Sequence, residues 1–462
     1  MLLFEITIAL LMIGALLAAA ARRVDAPYPA FLAVAGAGLA LLPGAPTLAL
    51  SPDLVLTLFV APTLLDAAYD SSPRDLRDNW RPIAGGAVIA VILTVLAVAA
   101  AARWMRPDMP WPVALVLGAV VAPPDASAAT AVLRALRPPH RVLVILEGES
   151  LLNDATALLI YRVALGAAIG QWSGWREAPL LTLSIGGGVA LGAALGWLYP
   201  RLIARIDDVP TSVMFQFIGT FAVWILATRL GLSAIITIVA YAMTVARWSP
   251  RRLSARMRIQ SYAVWDVAVF VLNVLAFIIA GLQLRPILAS VNGVEWPEYA
   301  GFGLAVLAVA IVVRVVWVMG YSTAVLWKNR RFGVRLAPRL VSPTWSGGVL
   351  IAWCGMRGIV TLATALALPD QFPFRDLILL AAYAVVLGTL VVQGLTLRPL
   401  MAVLDLPADD QVEREVSGGA PRRPCSRGWM GRPISRHRAC GKPMPDGLTG
   451  ERTPRPTCTP KH

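Results

Sequence analysis

Through its first four hundred residues the chain alternates long apolar runs with short polar connections that carry most of the arginines. An α-helix rises 1.5 Å per residue, so about 20 apolar residues are enough to cross a hydrocarbon core. Thirteen candidate spans can be drawn, at roughly 2–21, 28–43, 53–68, 82–102, 111–133, 142–170, 179–199, 211–228, 231–247, 261–282, 300–320, 345–368 and 376–400. The pattern predicts an all-α polytopic membrane protein. The first run has Glu5 near its start, where a secretory signal carries basic residues, and is followed by Arg22 and Arg23, so a retained span is expected. After Asp405 the apolar period stops, and residues 416–462 are rich in Pro, Arg, Gly and Ser. This predicts a transmembrane domain over 1–404 and a basic, disordered cytoplasmic tail over 405–462.

Polar residues inside the apolar runs stand out against this background. Span six contains Glu147, Glu149, Ser150, Asn153 and Asp154 within Leu146 to Leu159. A charged side chain at the bilayer centre costs at least about 2.5 to 3.5 kcal/mol, so such residues usually mark an ion or proton path. Helical spacing puts Glu149 over Asn153, Ser150 over Asp154, and Glu147 on the side of Asp154. One face offers an acid with an amide; the other offers a hydroxyl with an acid, the hard oxygen chemistry that suits a small cation. The alternative is polar glue between helices, a role usually filled by Ser, Thr or Asn.

Two other spans carry helix breakers. Span five holds Pro123 and Pro124 before Asp125, and two consecutive prolines remove backbone donors and interrupt a helix. Span twelve holds Gly347, Gly348, Gly355 and Gly358 around Arg357. Both spans are predicted to be discontinuous, with free helix ends facing mid-membrane and freed carbonyls facing a cation. Arg357 needs a counter-charge, for which Glu149, held by Asn153, is the first candidate and Asp125 the second. Asp66 is expected either to line an inner funnel or to be solvated near the end of span three. Asp266 and Arg314 are expected to be structural partners, and Arg162 to reach outward to the interface.

The connections give direction. Nineteen Lys and Arg residues fall in the odd-numbered loops and six in the even-numbered ones. The positive-inside rule then sets the amino terminus outside, the carboxyl terminus in the cytoplasm, and the whole chain in the cell membrane. With an odd number of crossings, spans one to six and eight to thirteen would be inverted repeats of six helices, and the breaks in spans five and twelve fall seven spans apart, as that symmetry requires.

Composition agrees with a membrane protein: 57% of the 462 residues are hydrophobic and only 15% charged. The net charge of +14 would suggest a nucleic-acid partner in a soluble protein, but here the arginines read as topology signals. Cys354, Cys425, Cys440 and Cys458 have neither a Cys-x-x-Cys spacing nor a paired framework, so no disulfide or zinc is expected.

The run Gly148-Glu149-Ser150-Leu151-Leu152-Asn153-Asp154 and the run Gly355-Met356-Arg357-Gly358 together resemble the signatures of monovalent cation-proton antiporters of the sodium/proton exchanger type. Leu64 to Ala67 and Asn273 to Leu284 add weaker matches, and the likeness extends over residues 1–404. The resemblance implies a bacterial Na+/H+ antiporter, not an enzyme and without a cofactor, that usually forms homodimers. It implies that Asp154 binds cation and proton in turn, that Ser150 and the residues around Asp125 help to hold the ion, and that Glu149, Asn153 and Arg357 brace the crossed helices. The Asn-Asp pair resembles electroneutral members. Many members have Thr-Asp-Pro where this chain has Pro124-Asp125-Ala126, which removes a threonine hydroxyl and leaves the Pro124 carbonyl. Many also have Glu at the position of Asp66. Na+ is the expected substrate, with Li+ and K+ as alternatives.

Burial opposes the charged form of a carboxylate and a bound cation favours it, so one acid can exchange proton for cation by competition. The rival readings are a channel, a carrier of organic anions on the helix ends, and an intramembrane aspartyl protease using Asp125 and Asp154. The protease reading lacks a Gly-x-Gly-Asp motif and gives no role to Glu149, Asn153 and Arg357.

Overall fold

The computed structural model describes residues 2–23, 27–43, 51–136, 138–170, 178–206, 208–249, 254–290, 296–332 and 344–404. Helices make up these residues, with no strand among them. The expected tail over 405–462, and loop residues Arg137, Arg176, Arg251, Arg252, Arg335 and Arg339, lie outside the described residues.

The chain begins with α1 (Leu2–Arg23) and α2 (Tyr28–Ala40). Next, α3 (Pro52–Val55) and α4 (Ala61–Asp70) join through a π turn at Leu56–Val60 into one apolar helix, Pro52–Asp70. Pro62 accounts for that turn, because its ring lacks an N–H and crowds the carbonyl one turn back. A short α5 (Pro73–Asp78) leads to α6 (Trp80–Ala84) and α7 (Val91–Met105), again fused by a π turn, at Gly85–Ala90. Then come α8 (Trp111–Val121) and α9 (Ala126–Leu136), α10 (His140–Ala168), α11 (Ala178–Ile203), α12 (Val209–Arg229), α13 (Ala234–Trp248) and α14 (Ala255–Leu282). The last are α15 (Leu284–Ser290), α16 (Trp296–Phe332), α17 (Trp345–Trp353), α18 (Ile359–Leu366) and α19 (Arg375–Leu404).

Eight stretches among the described residues are long and apolar enough to cross a bilayer. The 29 residues of α10 are also long enough, but carry the acids Glu147, Glu149 and Asp154. Helix ends follow ordinary capping rules. Asp208 accepts from the Thr211 amide at 2.9 Å at the start of α12, and these hydrogen bonds from Thr211 hold its exposed carboxyl below the usual carboxylate range.

Close backbone approach ties the helices together. Gly192 and Gly196 of α11 lie against the carbonyls of Thr237 and Tyr241 in α13, leaving no room for a Cβ. Gly36 of α2 and Gly281 of α14 meet backbone to backbone in the same way. Without a hydrophobic drive between helices in lipid, such small-residue seams carry much of the packing. The largest apolar cluster gathers Leu117, Val121, Leu146, Ile278, Leu350, Val385 and Leu390, and so surrounds α8, α10 and α19. It fixes the frame in which the two interrupted helices are held.

Candidate functional site

Helix is lost at residues 122–125, between α8 and α9, and at residues 354–358, between α17 and α18. In the first break Pro123 and Pro124 cannot donate, and in the second Gly355 and Gly358, having no Cβ, leave room for the side chains of Arg314 and Asp125. The two unwound segments touch: the Asp125 amide donates to the Met356 carbonyl at 2.7 Å. A Cβ on Gly358 would overlap the Asp125 carboxylate. Gly358→Ala is therefore expected to destabilise the protein by about 1–3 kcal/mol, the usual range for overpacking, read as a lower melting temperature of the purified chain. A variant that melts with the native protein would show that this contact is not made.

Asp125 is fixed locally. Its Oδ1 accepts from the Ser127 amide at 2.8 Å and from the Ser127 hydroxyl at 2.6 Å, a cap at the entry of α9. The Asp-x-Ser spacing was visible in the sequence, although its capping role was not assigned there.

Free helix ends on the other side of the crossing are met by Arg357, which is 1% exposed. Its Nε donates to the Val121 carbonyl at 3.0 Å and Nη2 to the Ala122 carbonyl at 3.4 Å, while Nη1 reaches the Gly355 carbonyl. Those carbonyls close α8 and follow α17, where the partial negative charge of a helix end is concentrated. The Arg357 amide donates to the Thr389 hydroxyl of α19 at 2.9 Å.

The ion pair differs from the expected one. Glu149 does not pair with Arg357; it takes Arg314 of α16, with Nη1 to Oε1 at 2.5 Å and Nη2 to Oε2 at 3.2 Å. Both side chains are 4% exposed. The physical reason is that Arg357 is already engaged by the carbonyls of the breaks, whereas Arg314 enters through the gap at Gly355, where a Cβ would overlap its side chain. Glu149 in turn fits a notch at Gly86 in the second π turn, where a Cβ would stand 2.7 Å from its Cδ. Asn153 does not hold Glu149 either. Its Nδ2 donates to the Pro124 carbonyl at 2.6 Å, so that carbonyl, a candidate cation ligand, is turned to the amide and lies with Glu149, Arg314 and Arg357 in a closely packed space. The sequence did contain a signal for Arg314: it is the one charge between Glu298 and Lys328 in an otherwise apolar helix.

Asp154 faces the opposite way. It is 7% exposed and lines a cleft enclosing about 1300 Å3, part of it open to solvent. Ser150 and Asp125 line the same cleft, as do Asp66, Glu147 and Asp266. Asp266, expected as a structural partner, instead stands on the cleft wall. Arg162 is exposed. Thus α10 divides a wet, acidic face carrying Ser150 and Asp154 from a dry face carrying Glu149 and Asn153.

Comparison with known proteins identifies the family and the fold. The model of the transmembrane sodium/hydrogen exchanger family matches residues 8–403. An uncharacterised Na+/H+ exchanger of Mycobacterium tuberculosis is 32% identical over 396 residues, 82% of this chain and 71% of the relative. The Na+/H+ antiporter NhaG of Bacillus atrophaeus is 28% identical, over 89% of this chain and 77% of its own. Among solved structures, the sodium proton antiporter MjNhaP1 of Methanocaldococcus jannaschii superimposes with a TM-score of 0.64 at 17% identity, covering 87% of this chain and 98% of the other. At that identity the likeness speaks for the fold.

Proposed function

Because the chain belongs to the sodium/hydrogen exchanger family, we propose that it is a secondary transporter that exchanges Na+, or another monovalent cation, for H+ across the cell membrane. The observation that carries this reading is the cleft: it gathers the hydroxyl of Ser150 and the carboxylates of Asp125 and Asp154 beside two interrupted helices, at a depth where unneutralised acids are costly. Asp154 is the shared site for cation and proton, Ser150 and Asp125 complete its oxygen ligands, and Asp66 lies on the approach. The Pro124 carbonyl, expected as a further ligand, is taken by the Asn153 amide on the packed side and does not line the cleft, so it is left out of this ligand set. Glu149, Asn153 and Arg357, with Arg314, hold the frame.

One negative charge cannot be neutralised by both ions at once, so binding of either expels the other. Thirteen crossings, arranged as two inverted repeats of six helices, would let the block of spans five, six, twelve and thirteen move against the rest and expose Asp154 to each side in turn. One proton replaces one monovalent cation, so exchange is electroneutral. The amino terminus is outside, the carboxyl terminus is cytoplasmic, the transport domain covers 1–404, and the protein works as a homodimer without a cofactor.

A proteolytic dyad is less well supported, because one oxygen of Asp125 is held by two donors from Ser127. A pH-sensitive dye in inverted vesicles tests the exchange directly. With a respiratory pH gradient in place, adding Na+ should dissipate the gradient in a saturable manner, and repeating with Li+ and K+ ranks the cations. A gradient unaffected by all three would overturn the reading.

A further inference from the structure

A second pocket, about 550 Å3 of empty space that is partly open to solvent, lies between α4, α11, α12, α13 and α14. Its hydrogen bonds run in one direction. Trp265 Nε1 donates to Gln216 Oε1 at 2.6 Å, and Gln216 Nε2 donates to the Ser261 hydroxyl at 3.2 Å. The Tyr69 hydroxyl donates to the Ser249 hydroxyl at 3.1 Å. The Gln216 amide leaves the Ser261 proton without an acceptor among the described residues, and the paired hydroxyls of Tyr69 and Ser249 leave one proton over between them. Two further donors stand in the same walls: Arg258 Nε is buried without a partner, and the Tyr199 hydroxyl, beside the Gln216 amide, has no acceptor for its own proton among the described residues. Arg258 makes no ion pair among the described residues.

Four donors, one of them permanently positive, therefore converge on a single space. A buried donor without an acceptor costs about 1–3 kcal/mol, and hydroxyl and guanidinium donors in this number match the oxygens of a phosphate. The surroundings are those of a lipid. Tyr241, Tyr262 and Trp265 wall the pocket, and amphipathic rings of this kind concentrate at the bilayer interface. Tyr69 and Arg258 sit in the terminal turns of α4 and α14, and Ser249 directly follows α13, so the polar side of the pocket lies at the ends of these apolar helices, where a headgroup would meet it.

We propose that this pocket binds the phosphate of an anionic phospholipid, held by Arg258, Tyr199, Ser249 and Ser261. Asp66 stands on the wall that the pocket shares with the main cleft, so a singly charged phosphodiester is accepted in preference to a multiply charged headgroup. The pocket shares Asp66 with the cleft, but Arg258, Tyr199, Ser249 and Ser261 do not line the cleft, so lipid binding is tested without reference to exchange.

The test is native mass spectrometry of the purified full chain titrated with phosphatidylglycerol and, separately, phosphatidylcholine, with inorganic phosphate as a third arm read by melting temperature. The first phosphatidylglycerol should bind at least about tenfold more tightly than phosphatidylcholine, and Arg258→Gln should remove that preference, as loss of a charge-assisted bond implies. Ser249→Ala combined with Ser261→Ala is the second variant and should weaken phosphatidylglycerol about fivefold, because two neutral bonds are lost; it carries the test if Arg258→Gln does not fold. Equal binding of the two lipids by the native chain, or unchanged phosphatidylglycerol binding in the variants, would overturn the proposal. Equal protection by inorganic phosphate would place a free anion there and overturn it as a lipid site.

Discussion

Asp154→Asn is expected to abolish cation-dependent proton movement in inverted vesicles while leaving the protein folded. The amide nearly matches the carboxylate in shape but carries neither the negative charge that neutralises a cation nor a proton that exchanges at ordinary pH. Asp154 faces the cleft and makes no ion pair among the described residues, so its replacement leaves the packed face of α10 intact. The melting temperature should stay near the native value. Removing one buried charge from beside Asp125 gives, if anything, a small gain. A variant that still dissipates a pH gradient on addition of Na+ would remove Asp154 from the role assigned to it.

The second large effect concerns stability. Arg314→Met leaves Glu149 as a buried, unpaired carboxylate, and breaking a buried pair from one side costs about 3–5 kcal/mol. Arg357 is near, but its donors are committed to the carbonyls of Val121, Ala122 and Gly355, so it cannot take over without releasing the ends of α8 and α17. Thermal melting of the detergent-purified chain should show a large drop for Arg314→Met. Much of the loss should be recovered when Glu149→Gln is added, because the uncompensated charge then disappears. A double variant no better than the single one would mean that Arg314 acts through packing alone.

The way these groups are arranged was partly legible in the residues. Apolar runs and their arginine-marked connections announced a helical membrane protein, and the prolines before Asp125 and the glycines around Arg357 announced both breaks. Helical spacing also separated Ser150 and Asp154 from Glu149 and Asn153 correctly, since a period of 3.6 is a local property. What the spacing did not settle was pairing across elements. Glu149 had two buried arginines within reach, and the choice depended on which was already engaged by free carbonyls and which had a passage through Gly355. The same limit explains Asp266. Its span gave no sign of which face meets the cleft, because α14 packs against several helices and its polar residues are sparse. The donor-lined pocket around Arg258 lay still further from view. It draws on five helices, and no short segment of the chain contains it.

If one carboxylate serves both ions, then cation and proton must compete. The most direct measurement is the Na+ dependence of transport by reconstituted protein at a series of pH values, equal on both sides of the membrane. In the acid range the half-saturating Na+ concentration should rise by close to tenfold for each unit fall in pH, while the rate at saturating Na+ stays constant. A half-saturating concentration that does not move, with a saturating rate that falls instead, would mean that proton and cation occupy different sites, and would contradict the account.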